Sequence, residues 1–145
     1  MNTLKLKKLH EDALVPSKGS EHAAGYDLYA IESVDIRSTC RAKIRTGIAI
    51  EMESGTVGLI WPRSKLANTF GIQVLGGVVD CDYRGEIMIS IINSGHETME
   101  IRKGDKVAQI LFQLVLNHYT GFDVVDELSE TERGSAGIND VELRR

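Results

Sequence analysis

Apolar and polar residues alternate along much of this 145-residue chain, so that a period of two is the dominant pattern. From Arg41 to Met52 the even positions are mostly apolar, whereas the odd positions are mostly polar or small. The segment from Val107 to Leu116 repeats this alternation. Its apolar face carries Ala108, Ile110, Phe112, Leu114 and Leu116. Such alternation predicts β-strands that each have one buried and one solvated face.

Several shorter segments have a similar character and are separated by turn signals. These strand candidates are Leu4–Leu9, Tyr26–Ala30, Val57–Trp61, Gln73–Leu75, Glu86–Ile92 and Thr98–Ile101. One short helix is predicted, in which Ser64 caps the start and Gly71 ends the helix after Phe70. Because the chain has 14 glycines and lacks long segments of helical period, it is predicted to form an all-β sandwich or barrel.

The length of the chain predicts a single domain with a core of its own. We expect residues 1–126 to form this β-barrel domain. The remaining residues, 127–145, are polar and contain glycine, which predicts a flexible C-terminal arm.

Composition excludes several classes of partner. The net charge of −4 gives no overall attraction to nucleic acid or to an anionic membrane, and aromatic residues make up only 6% of the chain. No signal peptide or membrane span is visible in the sequence. The two cysteines, Cys40 and Cys81, lack a disulfide or zinc pattern, which indicates reduced thiols in a cytoplasmic protein, or in the host cytoplasm or nucleus if the protein is viral.

The segment from Val79 to Ile87 carries more chemistry than a turn requires. It places three carboxylates, a phenol, a guanidinium and a glycine between two apolar runs, which predicts a hairpin whose tip presents these groups. Taken alone, the segment is equally compatible with a solvated loop in which Asp and Gly only form the turn.

Four other segments contain functional groups in unusual positions. Asp27 lies where a loop enters a strand, and Gln109 is an amide in the middle of a strand. Arg63-Ser64-Lys65 stands at the start of the short helix, where unpaired backbone N–H groups and the helix dipole suit a phosphate. Arg133 lies between small residues in the C-terminal arm. Each segment in isolation also has an ordinary structural interpretation.

Taken in order, these five segments resemble the trimeric dUTPase (deoxyuridine triphosphatase) family over nearly the whole chain, from Ala23 to Gly137. The matching sequences are Ala-Gly-Tyr-Asp-Leu, Pro-Arg-Ser-Lys-Leu-Ala, Gly-Val-Val-Asp-Cys-Asp-Tyr-Arg-Gly-Glu, Lys-Gly-Asp-Lys-Val-Ala-Gln and Thr-Glu-Arg-Gly-Ser-Ala-Gly. The resemblance implies a dUTPase-like β jelly roll (β-clip) that assembles as a homotrimer with active sites at the subunit interfaces. It also implies hydrolysis of dUTP to dUMP and pyrophosphate, a reaction that keeps uracil out of DNA and supplies dUMP for thymidylate synthesis.

The resemblance also implies a role for each matching residue. Asp80 would orient and activate the water that attacks the α-phosphate, since a carboxylate can accept a proton as the attack develops. Tyr83 would stack against the deoxyribose and exclude a ribose 2′-hydroxyl. Uracil would be recognised by the backbone of Gly77, Val78, Val79 and Met88.

The remaining matches concern the triphosphate and its metal. Arg63, Ser64 and the N–H of Lys65 would hold the phosphates, and Arg133 would bind the terminal phosphate. Asp27 would reach a Mg²⁺ cofactor through water, while Gln109 would reach the metal or the phosphates.

The chain departs from the family pattern in two places. Lys65 replaces a glycine in the second matching segment. In the tail, Ala136 replaces a glycine, and Ile138, Asn139 and Asp140 stand where the family has an aromatic residue and hydroxyls. We therefore expect weaker closure of the arm and a lower turnover. Two alternatives stay open at this point. One is a dUTP-responsive binding or regulatory protein of the same fold with weakened catalysis, and the other, which the Asp80–Arg84 pattern disfavours, is the related dCTP deaminase.

Overall fold

The computed structural model describes residues 3–116 and 121–135, and within them it contains twelve strands and one short helix. The all-β prediction is therefore confirmed. The strands are β1 (Lys5–Lys8), β2 (Ser17–Lys18), β3 (Tyr26–Tyr29), β4 (Val34–Ile36), β5 (Arg41–Arg45), β6 (Ile48–Glu51), β7 (Thr56–Trp61), β8 (Ile72–Leu75), β9 (Val78–Asp80), β10 (Met88–Asn93), β11 (Met99–Ile101) and β12 (Lys106–Leu114), and helix α1 (Ser64–Phe70) follows β7.

Antiparallel pairing arranges these strands into four sheets. The largest sheet has five strands in the order β2-β3-β12-β7-β9, and a second has three strands in the order β5-β10-β8. Two further pairs, β1 with β6 and β4 with β11, complete the strand pairing. Strand β12 lies at the centre of the largest sheet, where it pairs with β3 on one side and β7 on the other.

Isoleucine dominates the core between the sheets. The side chains of Ile44, Ile89, Ile91 and Ile110 are all fully buried, and they come from strands of both main sheets. In β10 the buried residues alternate with more exposed ones, as the period of two predicts. The predicted strand from Val107 to Leu116 is shorter than expected, because β12 ends at Leu114 and the Leu114 side chain is 80% exposed.

Two predictions about the strands are wrong. The segment from Arg41 to Met52 is not one strand, because Gly47 adopts a φ of 67° and separates β5 from β6, which join different sheets. The segment from Val79 to Ile87 is not the tip of a hairpin, because β9 pairs with β7 while β10 pairs with β5 and β8. This loop instead crosses from one sheet to the other. Strands β2, β4 and β9 were not among the predicted strands.

The helix has its predicted position but not its predicted cap. Ser64 is the first helical residue, and Arg63 occupies the N-cap position. Within the described residues, the Arg63 side chain makes no capping hydrogen bond. The helix ends at Phe70 as predicted, and Gly71 follows in the left-handed conformation with a φ of 68°.

Residues 121–135 form neither helix nor strand, and all of them are exposed. The boundary of the arm between residues 126 and 127 stays a prediction. Four of the departures from the family pattern, at Ala136, Ile138, Asn139 and Asp140, lie outside the described residues. Within residues 3–116 and 121–135, no helix is long and apolar enough to cross a membrane.

Candidate functional site

The residues from Asp80 to Ile87, called the Asp80 loop below, connect the two main sheets. Asp80 is the last residue of β9 and is exposed, and its carbonyl oxygen accepts a hydrogen bond from the Tyr83 N–H at 3.1 Å. The Arg84 guanidinium donates to the carbonyl oxygens of Cys81 and Tyr83 at 2.7 and 3.1 Å. The Arg84 side chain thus stabilises the exposed turn of the loop by hydrogen bonds to the backbone of the same turn.

The far end of the Asp80 loop is fixed to the turn between β5 and β6. The Glu86 carboxylate accepts hydrogen bonds from Arg45 Nε at 3.2 Å and from the Gly47 N–H at 2.8 Å. One residue later, the Ile87 N–H donates to the Ile48 carbonyl at 2.8 Å, and Thr46 Oγ1 donates to the Ile87 carbonyl at 2.6 Å. Because Ile87 and Thr46 are buried, these bonds hold the loop end where water competes little.

A cavity of about 200 Å³, called the Asp80 cleft below, opens beside this loop. Its lining residues are Ile60, Gly76, Val78, Val79, Asp80, Tyr83, Glu86, Ile87 and Met88. The cleft therefore combines an exposed carboxylate, an aromatic ring and backbone hydrogen-bonding groups in a space suited to a small ring.

Two glycines allow this geometry. Gly85 lies directly beside the Tyr83 ring, and a Cβ atom at this position would collide with the phenol oxygen, which donates a hydrogen bond to the Glu86 carbonyl at 3.1 Å. Gly77 approaches β7 so closely that its carbonyl accepts a 2.7 Å hydrogen bond from the Ile60 N–H, while a Cβ atom would collide with the Ile60 carbonyl oxygen. Glycine is required at both positions because neighbouring atoms lie too close for a side chain, not because the backbone there must be flexible.

A second group of predicted residues meets on the large sheet. This Asp27 cluster consists of Asp27, Arg63, Lys106 and Gln109. Asp27 is only 8% exposed, and its two carboxylate oxygens contact Arg63 Nε at 2.9 Å and Lys106 Nζ at 2.8 Å. The Gln109 side chain donates to the Pro62 carbonyl at 3.0 Å, which ties β12 to the residue before Arg63.

Lys106 was not predicted as a site residue. The sequence Lys-Gly-Asp-Lys indicated a turn before a strand, but nothing in its local pattern pointed to Asp27 as a partner. The hydrogen bond and the charge of Asp27 raise the pKa of the Lys106 ammonium above its usual value, so Lys106 stays protonated at neutral pH.

The predicted site residues fall into separate groups within one chain. Among the residues that the structure describes, the lining of the Asp80 cleft includes neither Asp27, Arg63 nor Gln109. Ser64 and Lys65 are exposed at the start of α1. Arg133 is exposed in a turn that is closed by a 3.0 Å hydrogen bond from the Gly134 N–H to the Thr131 carbonyl.

The described residues do not fit a resident magnesium site at Asp27. Both oxygens of this carboxylate already contact cations, and a third positive charge beside them would be repelled. In residues 3–116 and 121–135, no group of three His, Cys, Asp or Glu side chains is arranged to hold a metal ion.

Comparison with known proteins shows which family the chain belongs to. A profile of the dUTPase family matches residues 11–141, which include both the Asp80 cleft and the Asp27 cluster. The chain belongs to the dUTPase family. It is 43% identical over 138 residues to the deoxyuridine 5′-triphosphate nucleotidohydrolase of Paramecium bursaria Chlorella virus 1, covering 95% of this chain and 96% of that protein.

Solved dUTPase structures have the same fold, which confirms the predicted jelly roll. A mutant dUTPase of Staphylococcus aureus phage phi11, described with a structural Mg(II) ion, gives a TM-score of 0.79 at 26% identity and covers 87% of this chain and 98% of that one. A mutant dUTPase of Staphylococcus bacteriophage 80alpha, solved with dUpNHpp, gives a TM-score of 0.86 at 25% identity, with 94% and 96% of the two chains covered.

Proposed function

We propose that this dUTPase family member hydrolyses dUTP to dUMP and pyrophosphate by attack of water on the α-phosphate. The observation that carries the proposal is the Asp80 cleft, in which the Asp80 carboxylate and the Tyr83 ring line one small cavity. A cavity of about 200 Å³ can hold a pyrimidine but leaves a triphosphate outside, where water has access to the phosphorus.

Asp80 is the general base of the proposed mechanism. Its carboxylate accepts a hydrogen bond from the attacking water and takes a proton as the new P–O bond forms. Its position at the end of a strand supports this role, because β9 is paired with β7 and fixes the Asp80 backbone, while the side chain stays exposed. The bond that breaks joins the α-phosphorus to the oxygen that bridges to the β-phosphate. The α-phosphate stays on the nucleoside as dUMP, and pyrophosphate leaves with the electrons of that bond.

The walls of the Asp80 cleft select the nucleoside. The Tyr83 ring packs against the deoxyribose and leaves no space for a 2′-hydroxyl, which discriminates against UTP. The backbone groups of Gly77, Val78, Val79 and Met88 recognise the edge of uracil. Rejection of other bases follows because a backbone slot of fixed width and fixed donor order cannot adapt to them.

Arg63, Ser64, the N–H of Lys65 and Gln109 bind the phosphates in this proposal, and Arg133 from the arm binds the terminal phosphate. The Asp27 cluster supports this role because Arg63 and Lys106 outnumber the single carboxylate, which leaves the cluster with a net positive charge. Positive groups of fixed orientation are the main catalytic device in phosphoryl transfer.

We also propose a homotrimer in which the Asp80 cleft of one subunit faces the Asp27 cluster of another. The lining of the Asp80 cleft, which among the described residues includes none of the Asp27 cluster of the same chain, supports this arrangement. So do the large apolar side chains that the single chain leaves open to solvent at the cleft, around the end of β12 and in residues 121–135. They include Val78, Leu114, Leu116, Phe122, Val124 and Leu128. Such surfaces are typical of subunit contacts.

Magnesium enters this proposal as the counterion with which dUTP is bound, because the described residues do not fit a resident metal at Asp27. We further propose that the protein acts in a reducing compartment, the cytoplasm or the host cytoplasm or nucleus of a virus. The two free cysteines, Cys40 and Cys81, support this expectation.

Release of pyrophosphate from dUTP in the presence of Mg²⁺ tests the proposed function, with Asp80→Asn as the matched blank. We expect the substitution to reduce kcat by about 10²-fold or more while the protein still binds a non-hydrolysable imido analogue of dUTP. Wild-type release that cannot be distinguished from the Asp80→Asn blank would instead favour the binding or regulatory protein.

A further inference from the structure

The Asp27 carboxylate is unusual because two cations hold it inside the protein. The side chain of Asp27 is 11% exposed, whereas those of Arg63 and Lys106 are 35% and 39% exposed. Burial of a carboxylate is costly unless its oxygens are paired and hydrogen-bonded. Here each oxygen has its own cationic partner, so the arrangement is complete without a metal ion.

An irregularity in β12 brings Lys106 to this carboxylate. Gln109 pairs with Asp27, and Lys106 pairs with Tyr29, two residues after Asp27, because the register shifts between Lys106 and Ala108. In a regular strand, residues 106 and 109 would point to opposite faces of the sheet, since side chains alternate. The bulge instead places both on the face that carries Asp27, and bulges of this kind serve to redirect a side chain.

Neighbouring contacts fix the two cations in place. The Lys106 ammonium lies 5.8 Å from the centre of the Tyr29 ring, and the Tyr29 hydroxyl is 2.6 Å from Ser17 Oγ. On the other side, the Gln109 amide holds the Pro62 carbonyl immediately before Arg63. The Arg63 contact with Asp27 runs through Nε, so it does not require the terminal amino groups of the guanidinium.

Lys106 changes the net charge of the Asp27 cluster. An isolated Arg63–Asp27 pair is neutral and would attract a polyphosphate weakly. The second cation restores a net charge of one positive unit while Asp27 still fixes the direction of the guanidinium. Two charges about 4–6 Å apart at a partly exposed site interact strongly enough to change polyphosphate affinity measurably.

We propose that Asp27 and Lys106 are positioning residues for Arg63: Asp27 orients the guanidinium, and Lys106 supplies the charge that keeps the cluster attractive to polyphosphate. In this role Asp27 is not a magnesium anchor. The inference rests on the proposed function of the site, because it concerns the binding of the dUTP phosphates.

Calorimetric binding to Lys106→Met, Lys106→Arg and wild type tests the role of Lys106. The ligands are deoxyuridine, dUMP, dUDP and the imido analogue of dUTP. We expect Lys106→Met to weaken the imido analogue about tenfold, to weaken dUMP less and to leave deoxyuridine unchanged, while Lys106→Arg stays within about twofold of wild type. Lys103→Met is the matched control, because Lys103 lies three residues before Lys106, in the turn that precedes β12, and pairs with Asp12. Equal losses for all ligands, or the same loss in Lys103→Met, would contradict the proposal.

Asp27→Asn separates orientation from metal binding. Because this substitution makes the cluster more positive, we expect affinity for the imido analogue to be retained while kcat falls about tenfold, with the half-saturating Mg²⁺ concentration unchanged. A rise of tenfold or more in that concentration would identify Asp27 as a metal anchor and overturn the proposal.

Two further measurements test the role of Lys106 even if Asp27→Asn does not fold or wild type is inactive. If Asp27→Asn does not fold, as judged by its thermal unfolding, the Lys106 series decides the proposal alone. If wild type releases no pyrophosphate from dUTP, the proposed function fails, and the affinity of wild type and Lys106→Met for inorganic tripolyphosphate then tests the cluster. Equal tripolyphosphate affinity in these two proteins would exclude the role of Lys106.

Discussion

The Asp80 loop and the Asp27 cluster are held in place by different forces. The loop is fixed mainly by hydrogen bonds in which backbone groups meet side chains or other backbone groups, and the ion pair between Arg45 and Glu86 adds to them. The cluster is fixed through side-chain charges around one buried carboxylate. In the function proposed above, the Asp80 loop and the Asp27 cluster are the two halves of one site. Nucleoside recognition requires a slot of constant shape, whereas phosphate binding requires an electrostatic field of constant direction, so each half would have the kind of support that suits its proposed task.

The largest effect is expected from breaking the shape of the loop. Gly85→Ala would place a methyl group against the Tyr83 phenol, so the ring must leave its position in the cleft. We expect kcat/KM for dUTP to fall about 100-fold with a small change in thermal stability. Gly19→Ala is the control, because a Cβ atom at Gly19 would meet no atom within 4 Å. An unchanged kcat/KM in Gly85→Ala would show that the Tyr83 position is not needed.

A smaller effect is expected from loosening the far end of the loop. Glu86→Gln removes the ion pair with Arg45 but keeps an oxygen for the Gly47 N–H. We expect a loss of about 1 kcal/mol of unfolding free energy and a several-fold lower preference for dUTP over UTP, measured as the ratio of the two kcat/KM values. Glu51→Gln removes the exposed pair with Lys5 and should change neither quantity. Equal effects of the two substitutions would argue against a role for Glu86 in selectivity.

Salt should affect phosphate binding at the Asp27 cluster and nucleoside binding at the Asp80 cleft differently, through a few-fold change in ligand affinity. Screening weakens interactions between partly exposed charges, but it leaves hydrogen bonds and ring contacts in the cleft largely unaffected. Raising the ionic strength from about 0.05 to 0.3 M should therefore weaken binding of the imido analogue several-fold and leave deoxyuridine binding unchanged. Calorimetric titration of both ligands measures this, and parallel losses for the two ligands would contradict the division.

The smallest effect concerns the ion pair between Asp12 and Lys103, which lies outside both halves. The hydrogen bond from Lys103 lowers the pKa of Asp12 below its usual value of 3.8. A lowered folded-state pKa contributes stability that is present above pH 3.8 and is lost as the pH falls through the folded value. Asp12→Asn should lower the urea midpoint slightly at pH 7, and this difference between variant and wild type should shrink as the pH is lowered below 3.8, whereas a difference that stays constant would contradict this linkage.

Local patterns predicted most of the strands. The resemblance, not the local patterns, named five of the residues that line the Asp80 cleft, and a sixth residue that it named, Gly77, is not among the lining residues that the structure describes. The five are Val78, Val79, Asp80, Tyr83 and Met88. Local patterns could not predict strand pairing, because the partner of β9 is β7 rather than β10, and this depends on packing between distant segments. The contact between Asp27 and Lys106 was missed for the same reason. It requires both the pairing of β3 with β12 and a bulge that no local turn signal indicates. Ser64 failed as a cap because Arg63 occupies the position before the helix.

Mixing two inactive variants tests the central claim most directly, namely that the Asp80 cleft of one subunit works with the Asp27 cluster of another. Asp80→Asn and Arg63→Ala, each expected to be inactive alone, are unfolded together and refolded as mixed trimers. If each site takes one group from each of two subunits, about a quarter of the sites receive both intact groups, so pyrophosphate release from dUTP should recover to about a quarter of the wild-type rate. Activity no greater than that of the two variants refolded separately would contradict the account.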